Sequence, residues 1–330
     1  MSNGPLVSII IPVFNVESEY VRACIDSAIG QSYTRLEILL IDDRSTQEHV
    51  LPILEGYAES DSRVKLVKNG QNKGVSAVRK QGVEIASGEF VCFLDCDDRL
   101  EANCVEWLLA KQMESDADVV LGDYWMVYDR SKKYCHNSCD EADSRGFLKA
   151  LLTGKCGGTI WSKLLKRNTF GKIPYPIFDG RDNDLILNFH IACSGLKTVS
   201  LNLPVYNWIQ RKSSVTQTKS QATINHGFTI VSEVCKLVEA RPECSHLAQE
   251  LALYRMSAWA LLLAQGIQWN ETNKAFRKGI NRVCLKNKWA VNQLSRSQKI
   301  ILISNKYIFT RYLYLTYTRT VKARLMRYFR

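Results

Sequence analysis

The sequence predicts an α/β protein with a mostly parallel sheet flanked by helices, followed by a helical C-terminal region. Two observations lead to this prediction. Short, apolar and largely β-branched runs alternate with segments whose apolar residues recur at helical spacing. Acidic clusters follow two of these runs, and ligands of open α/β sheets bind at the carboxyl ends of parallel strands.

Four strands and three helices are predicted in the first hundred residues. The strands are Val7–Phe14, Leu36–Ile41, Val64–Val67 and Glu89–Leu94, and the helices between them are Glu19–Gly30, His49–Ser60 and Ser76–Ala86. This β-α-β-α-β-α-β order predicts a parallel sheet with helices on both faces.

The elements after residue 100 alternate less regularly. The pattern predicts a helix over Asn103–Ser115, a strand over Asp118–Leu121, an irregular stretch to about Gly146, and helices over Phe147–Leu152 and Arg181–Ser194. From about Ala222 it is wholly helical, most clearly over Ser245–Gln268. No internal repeat or low-complexity linker interrupts the chain.

Composition favours a globular protein of the cytoplasm. Of 330 residues, 46% are apolar, enough for a sizeable core. The eleven cysteines match no structural zinc spacing. No N-terminal signal pattern is present, and no stretch reaches the roughly 18 apolar residues of a membrane span. These features predict a reducing, cytoplasmic location with free thiols.

Positive charge is concentrated in the segment Thr272–Arg330, the basic tail, which has fifteen Lys and Arg and no Asp or Glu. The first 271 residues carry 29 basic and 33 acidic side chains, a net of −4. Two alternatives follow for the tail, which either binds an anionic membrane surface through amphipathic helices or packs on the mildly acidic body. Nucleic-acid binding is a further alternative, although no nucleic-acid module is recognisable.

The tetrad Asp95-Cys-Asp-Asp98 follows a buried strand. Carboxylates there are costly unless a cation holds them, and closely spaced Asp oxygens suit Mg²⁺ or Mn²⁺ together with nucleotide phosphates. The alternative is an acidic turn in which Asp98 caps the next helix. Asp42 and Asp43 could likewise start a turn with Ser45.

The succession of motifs carries more information than any one of them. VSIIIPVFN, SAIGQSY, LEILLIDDRST, NKGVSAVRKQG and ASGEFVCFLDCDD span residues 7 to 98. In type and spacing they resemble the successive signatures of the family 2 inverting glycosyltransferases. ADVVLGDY, GGTIWSKLLKR and VYNWIQRKSSVT extend the resemblance to residue 216. The resemblance implies the GT-A (Rossmann-like) fold, with a catalytic domain over residues 1–220 and a helical, basic region over 221–330.

The resemblance also implies a role for individual residues. Pro12 and Phe14 would line the nucleoside pocket, Asp43 would hydrogen-bond the uracil edge, and Arg79 would lie close to the nucleotide. The catalytic domain would then divide into a nucleotide-sugar part, residues 1–100, and an acceptor and base part, residues 101–220.

Asp95 and Asp97 form the family's Asp-x-Asp motif, with Asp97 the expected direct ligand of Mn²⁺ or Mg²⁺. Arg211 and Ser213 lie in a basic, hydroxyl-bearing segment that would close over the diphosphate, and the alternative for that segment is a solvated turn.

The general base is expected in Asp179-Gly-Arg-Asp-Asn-Asp184. Asp182 matches the Asp of the family's Glu-Asp pair, but Arg181 stands where the Glu is expected. Asp182 is therefore the predicted base, with Asp184 as its rival. The alternative is an Asp-rich helix N-terminus that the helix dipole stabilises.

Two smaller features have alternatives of their own. Trp161 and Trp208 could stack on acceptor sugars or pack in the core. Cys135-His-Asn-Ser-Cys139 could suggest a metal, but two thiols and one His in a polar loop are expected to be incidental.

Together these features predict a metal-dependent transferase that moves a hexose or N-acetylhexosamine from a UDP-sugar to an acceptor hydroxyl with inversion. The resemblance implies a lipid-linked glycan acceptor in lipopolysaccharide, O-antigen or capsule synthesis. The expected location is cytoplasmic and peripheral on the inner face of the cell membrane, with no nucleic-acid partner. The alternative is a basic-tailed nucleic-acid- or membrane-binding protein with a non-catalytic nucleotide-binding domain.

Overall fold

The computed structural model describes residues 4–139, 144–175, 183–211, 221–264, 287–295 and 298–299. These residues form two compact units, one within 4–211 and the other within 221–299. The first unit contains the whole sheet, and the second is helical.

The first unit has nine strands and six α-helices within the described residues. The strands are β1 Val7–Val13, β2 Leu36–Asp42, β3 Val64–Lys68, β4 Phe90–Phe93, β5 Arg99–Leu100, β6 Val119–Tyr128, β7 Ser131–Cys135, β8 Lys163–Lys166 and β9 Thr198–Ile209. The helices are α1 Ser18–Ile29, α2 Val50–Ser60, α3 Val75–Ile85, α4 Cys104–Ser115, α5 Ser144–Thr153 and α6 Asn183–Ala192, with a 3₁₀ turn at Arg167–Gly171.

The second unit consists of helices in the part that the structure describes. They are α7 Gln221–Glu239, a 3₁₀ segment at Pro242–Leu247, α8 Ala248–Ala264 and α9 Lys288–Gln293. Residues 265–286 and most of the basic tail lie outside the described residues. No helix among the described residues has both the length and the apolarity to cross a bilayer.

The strands form one mixed sheet in the order β3-β2-β1-β4-β8-β6-β9-β5, with β7 paired to β6. Strands β3, β2, β1 and β4 are mutually parallel, which confirms the predicted β-α-β-α-β-α-β order. Strand β8 is antiparallel to both of its neighbours, β4 and β6, while β6 and β9 are parallel. The fold is therefore the predicted α/β type with a mostly parallel sheet.

Strand β6 is longer than the sequence predicts. The predicted strand ends at Leu121, where Gly122 and Asp123 interrupt the apolar run. The backbone instead continues to Tyr128 through register shifts against β9 around Asp123, and then turns into the β6–β7 hairpin. A bulge absorbs the irregular residues, so the interruption bends the strand without ending it.

Helices cover both faces of the parallel half of the sheet. Apolar side chains of α1, α2 and α4 pack in one buried cluster with alternate residues of β1 and β2. Helix α3 lies on the opposite face, where Gly82 approaches Ile10 and Ile41 so closely that a Cβ at that position would lie 2.4 Å from Ile10 Cγ2. This arrangement places the N-terminal end of α3 beside the carboxyl ends of β1, β2 and β4.

Candidate functional site

Asp43, directly after β2, organises the loop that leads into α3. Its buried carboxylate accepts hydrogen bonds from Asn69 Nδ2 at 3.0 Å, from the Lys73 N–H at 3.0 Å and from the Gly74 N–H at 2.8 Å. Gly74 has φ +81°, a conformation that favours glycine, and it precedes the first residue of α3. The Lys73 N–H also lies 3.1 Å from Oδ2, so the three donors make four contacts, two on each carboxylate oxygen.

The end of β1 presents an aromatic ring to solvent. Phe14 is 46% exposed, while Pro12 is half-buried within β1, opposite Ile41. The chain then turns at Asn15, which has φ +49° and whose Oδ1 accepts the Thr46 N–H at 2.7 Å. This fixed turn holds the Phe14 ring beside the carboxyl end of β2.

Arg79 of α3 joins two carboxylates from distant parts of the chain. Its guanidinium, 5% exposed, donates Nη2–H to Asp95 and Nη1–H to Asp184 Oδ1, the latter at 2.5 Å. Asp95 follows β4 and Asp184 lies in the first turn of α6. The arginine thus brings the strand-end motif and the region of the predicted base into one site.

Arg211, just after β9, makes a second bridge on the Asp-x-Asp motif. Its Nη2–H donates to Asp97, and its Nη1–H donates to Glu17 Oε2 at 3.0 Å. The guanidinium also lies over the Tyr20 ring, 4.9 Å from the centroid. We call Glu17, Tyr20, Asp97 and Arg211 the Arg211 clamp.

The charges of the site favour a divalent cation. Four carboxylates (Glu17, Asp95, Asp97 and Asp184) face two guanidinium groups and the Lys163 ammonium, which leaves a formal charge of −1 when all are ionised. Side chains of Asp95 and Asp97 are 29% and 30% exposed, so their oxygens are accessible. Mg²⁺ typically binds one or two carboxylates together with substrate phosphates, and this donor set fits such an ion. Within the described residues, no group of three His, Cys, Asp or Glu forms an all-protein metal site.

Asp98 belongs to a buried network beneath the motif. Its Oδ1 accepts the Ile209 N–H at 2.7 Å and its Oδ2 accepts the Tyr206 hydroxyl at 2.8 Å. The Tyr206 hydroxyl oxygen accepts the Asp95 N–H at 3.2 Å. Burial, followed by the charge of Asp95, raises the pKa of Asp98 well above its ordinary value. The network ties the Asp-x-Asp loop to the end of β9, which leads to Arg211.

The carboxylate of Asp184 is also in a buried setting. Burial raises its pKa, while the nearby Arg79 guanidinium acts in the opposite direction. Lys163 of β8 lies close enough to interact electrostatically with Asp184 and donates its Nζ–H to the Thr159 carbonyl. Asp184 therefore sits between two cationic side chains at the start of α6.

Comparison with known proteins identifies the family. A model of the family described as Glycosyl transferase family 2 matches residues 8–181. The chain belongs to glycosyl transferase family 2. The match spans more than half of the chain, from β1 to the segment before α6. It includes Arg79, Asp95 and Asp97 and ends before Asp184 and Arg211. The chain is accordingly a glycosyltransferase, as the motif succession predicts.

Curated relatives of the glycosyltransferase come from bacteria. EpsH of Bacillus subtilis, described as a glycosyltransferase, is 26% identical over 255 residues, which cover 75% of this chain and 73% of EpsH. WfgD of Escherichia coli is 36% identical over 126 residues, 38% of this chain and 48% of WfgD. WfgD is named a UDP-Glc:alpha-D-GlcNAc-diphosphoundecaprenol beta-1,3-glucosyltransferase.

A solved structure shows the same fold. Residues 1–349 of S. aureus TarS in complex with UDP-GlcNAc match with a TM-score of 0.73 at 16% identity, covering 95% of this chain and 91% of that chain. At this identity the likeness concerns the fold alone. The glycosyltransferase thus has the GT-A fold that the sequence resemblance implies.

The structure brings five of the predicted site residues into contact. Asp95 pairs with Arg79, Asp97 pairs with Arg211, and Asp184 shares Arg79. Pro12, Phe14 and Asp43 lie at the carboxyl ends of the neighbouring strands β1 and β2. Asp182 and Ser213 lie outside the described residues.

Two of the alternatives for the acidic residues are decided by geometry. The alternative that Asp98 caps the next helix is wrong, because β5 intervenes and α4 begins at Cys104 after Asn103. The turn alternative for Asp42 is confirmed, since its Oδ1 accepts the Ser45 N–H at 3.1 Å.

The aromatic and cysteine features belong to the structural framework. Trp161 is 4% exposed and stacks on Tyr206 with the ring centroids 4.5 Å apart, so the core-packing alternative holds for it. Trp208 is half-buried, and its ring centroid lies 6.0 Å from that of Trp161. His136 is paired with Asp123, and Cys139 is buried. Among the described residues, the Cys135–Cys139 segment forms no metal cluster.

Sequence reasoning missed Glu17, Tyr20 and Tyr206. Glu17 and Tyr20 do follow the first predicted strand, where a polar strand-end residue is a useful signal, but they resemble ordinary residues at the start of an amphipathic helix. Their partner, Arg211, lies 194 positions from Glu17 in sequence. Only the three-dimensional pairing reveals them.

Proposed function

We propose that this glycosyltransferase transfers a hexose or N-acetylhexosamine from a UDP-sugar to an acceptor hydroxyl with inversion at the anomeric carbon. The observation that carries the proposal is the pairing of both Asp-x-Asp carboxylates with arginines at the carboxyl ends of β1, β2 and β4. A diphosphate and a divalent cation match this mixture of accessible carboxylates and guanidinium groups in charge.

The donor would lie over the ends of β1 and β2. The exposed Phe14 ring and Pro12 would line the nucleoside pocket, and Asp43 would hydrogen-bond the uracil edge. Ser213 would contact the diphosphate together with Arg211. WfgD is named for a UDP-Glc donor and TarS was crystallised with UDP-GlcNAc, which supports the choice of a UDP-sugar.

Asp95 and Asp97 would hold Mn²⁺ or Mg²⁺, with Asp97 as the direct ligand. When bound, such an ion supplies Lewis-acid stabilisation of the negative charge on the departing diphosphate. Arg79, buried between Asp95 and Asp184, would keep Asp95 oriented toward the ion and leave a fixed positive charge near the phosphates.

The acceptor hydroxyl requires one carboxylate to take its proton, and Asp182 is the proposed base. Asp184 is the rival, but its Oδ1 already accepts a hydrogen bond from Arg79. This contact suits Asp184 to positioning the Arg79 guanidinium. Burial raises the pKa of Asp184 more than the Arg79 guanidinium lowers it, so its occupied oxygen, and not a loss of basicity, counts against Asp184 as the base.

The substitutions Asp182→Asn and Asp184→Asn separate these roles. Asp182→Asn is expected to lower kcat at least about 10²-fold with donor affinity largely retained, because the amide cannot accept the proton. Asp184→Asn is expected to weaken donor binding through Arg79. A nearly fully active Asp182→Asn enzyme beside an inactive Asp184→Asn enzyme with intact donor affinity would assign the base to Asp184.

The acceptor is proposed to be a lipid-linked glycan of a bacterial surface polysaccharide, namely lipopolysaccharide, O-antigen or capsule. The name of WfgD specifies a diphosphoundecaprenol acceptor, which supports this class. The fifteen uncompensated cations of the basic tail would hold the enzyme at the cytoplasmic face of an anionic membrane, where such acceptors are accessible.

A donor screen tests the proposed function. UDP release would be measured for UDP-Glc, UDP-Gal, UDP-GlcNAc and UDP-GalNAc, each with Mn²⁺, with Mg²⁺ and with EDTA. Release from at least one donor, abolished by EDTA and restored by the metal, is the expected result. Turnover that persists in EDTA would contradict the metal assignment. If the enzyme bound neither UDP nor any of the four donors, the proposed donor class would be contradicted.

A further inference from the structure

The ion pairs of the two arginines of the site differ in their exposure to solvent. The Arg79 side chain is 5% exposed and its carboxylate partners are 29% and 23% exposed. Arg211 is 14% exposed, and its partners Asp97 and Glu17 are 30% and 52% exposed. Exposed ion pairs contribute little because water screens both charges and the side chains lose freedom when they pair. Arg211 is therefore the arginine that a competing cation can displace.

Arg211 also contacts the carboxylate that is proposed to bind the metal ion. Its Nη2 lies against Oδ2 of Asp97, the carboxylate proposed as direct ligand. A guanidinium on that oxygen weakens the binding of a divalent cation to the same carboxylate, because the two positive charges repel each other at short distance. Glu17 and the Tyr20 ring hold the guanidinium from its other side, at 3.0 Å and 4.9 Å.

We propose that Glu17 and Tyr20 are positioning residues that hold Arg211 on Asp97 as an internal counter-ion, from which the metal ion and the donor diphosphate together displace it. The inference rests on the proposed metal-dependent function and extends it to the state without donor. The Arg211–Asp97 pair is the arrangement that the metal ion and the donor would replace. Once the diphosphate is present, it offers the guanidinium an alternative anionic partner, which Arg is well shaped to bind.

The proposal makes metal binding and donor binding depend on each other. Without donor, a metal ion must break the Arg211–Asp97 pair, and no phosphate replaces the lost contact. With donor, the same guanidinium contacts phosphate oxygens. Metal and donor therefore each raise the affinity of the other, and by linkage the two factors are equal.

Titration of the full-length protein with Mn²⁺ tests this dependence, with free Mn²⁺ measured by its electron paramagnetic resonance signal. In the absence of nucleotide, Arg211→Met is expected to bind Mn²⁺ at least about threefold more tightly than wild type, since Asp97 loses its competitor. In the presence of UDP the same variant is expected to bind Mn²⁺ more weakly than wild type. The opposite signs distinguish a displaced counter-ion from a general loss of structure.

Matched variants control for charge and for the site. Arg99→Met removes an exposed arginine two positions from Asp97 that lies outside the clamp, and it is expected to change neither affinity appreciably. In an Asp97→Asn background, Arg211→Met is expected to have no effect on Mn²⁺ affinity, because the contested carboxylate is gone. Thermal unfolding of each variant confirms that it is folded.

An unchanged Mn²⁺ affinity in nucleotide-free Arg211→Met overturns the inference. An equal gain of Mn²⁺ affinity in Arg99→Met also overturns it, because such a gain would indicate only a general charge effect. If wild type still releases UDP in a metal-dependent reaction, either result removes the role of Arg211 and leaves the proposed function standing. Metal-independent turnover by wild type would remove both.

Discussion

Two buried carboxylates of the first unit show how neighbouring groups set the protonation state of a side chain. Burial disfavours ionisation of Glu37, but hydrogen bonds from Lys65, Ser8 and the Ser87 N–H outweigh burial and lower its pKa to about 2. Asp98 accepts only a Tyr hydroxyl and one backbone N–H, and its pKa is raised. Burial and the charge of Asp95 act together against ionisation of Asp98, whereas the Lys65 cation favours ionisation of Glu37.

Glu37 predicts acid sensitivity. Its folded-state pKa of about 2 lies below the ordinary value of 4.5, so its ionised form stabilises the fold fully above pH 4.5 and progressively less as the pH falls toward 2. Glu37→Gln is expected to lower the free energy of unfolding at pH 7 by about 1–3 kcal/mol, because Lys65 and Ser8 lose a charged acceptor.

Urea unfolding of wild type and Glu37→Gln from pH 2.5 to 7 measures the effect. The stability difference between the two proteins is expected to shrink as the pH falls below 4.5. A difference that stays constant over this range would contradict the role given to the ionised carboxylate.

At the residue scale, sequence alone predicts the members of the site that follow strands. Asp43, Asp95 and Asp97 are recognisable because parallel strands present their carboxyl ends on one edge of the sheet. Tyr206 lies 108 positions from its partner Asp98, and no local pattern in either segment specifies that pairing. The site was predictable where one element defines it, and not where a contact joins distant elements.

Helix α3 is positioned by the absence of a side chain at Gly82. A Cβ there would lie 2.4 Å from Ile10 Cγ2 and 3.1 Å from Ile41 Cδ1. Ile10 is fully buried and β-branched, so it has little freedom to move aside. The close approach holds the helix, and with it Arg79, against the ends of the parallel strands.

Gly82→Ala is expected to destabilise the protein by about 1–3 kcal/mol, because overpacking pushes α3 away from the sheet. It should also weaken UDP·Mn²⁺ binding, since Arg79 moves with the helix. Gly56→Ala in α2 is the matched control, as nothing lies within 4 Å of a Cβ there, and it should stabilise by about 0.5–1 kcal/mol. Urea unfolding and calorimetric titration measure both. Equal effects of the two substitutions would contradict the packing argument.

The junction between β9 and the Asp-x-Asp loop depends on one hydroxyl. Tyr206→Phe removes the donor to Asp98 and the acceptor for the Asp95 N–H. It is expected to cost about 1–3 kcal/mol of stability and to lower UDP·Mn²⁺ affinity, because buried groups lose partners and the loop loses its anchor.

Tyr33→Phe provides the comparison for this junction. It removes a single hydrogen bond, 2.6 Å long, to the Pro5 carbonyl, at a place outside the site. A smaller loss of stability with unchanged UDP·Mn²⁺ affinity is expected. If Tyr206→Phe left the nucleotide affinity as unaffected as Tyr33→Phe does, the anchoring role would be refuted.

At the element scale, the N-terminal half of the sheet could be predicted and the other half could not. Strands β1 to β4 are apolar runs separated by helices, the pattern that most clearly predicts parallel strands. Strand β8 has only four residues with lysines at both ends, and β9 contains Asn202 and Pro204 near its middle. Pairing with β6 overrides those weak local preferences.

For the molecule as a whole, the basic tail predicts salt-dependent membrane association. A full-length variant with every Lys and Arg from residue 306 onward changed to Gln should lose affinity for vesicles containing anionic lipid. Each cation near such a surface contributes on the order of 1 kcal/mol. Turnover of a soluble acceptor should be unchanged.

Vesicle co-sedimentation at increasing salt provides the measurement. Wild-type binding is expected to weaken as salt rises, and neutral vesicles should bind neither protein. Anionic vesicles that retain the variant as well as wild type would assign membrane binding to another part of the chain. An insoluble variant would favour the alternative in which the tail packs on the acidic body.

The place of β8 between β4 and β6 has a consequence for synthesis of the chain. Strand β4 ends at Phe93, yet the strand that covers its second edge begins at Lys163. At roughly 5–20 residues per second, a ribosome needs several seconds to make the intervening segment. Meanwhile the β4 edge of the nascent four-stranded sheet stays open and apolar, the kind of surface that invites pairing with other chains. Slowly translated codons ahead of residue 163 would lengthen that exposure, and chaperone binding to the emerging chain would be most useful there.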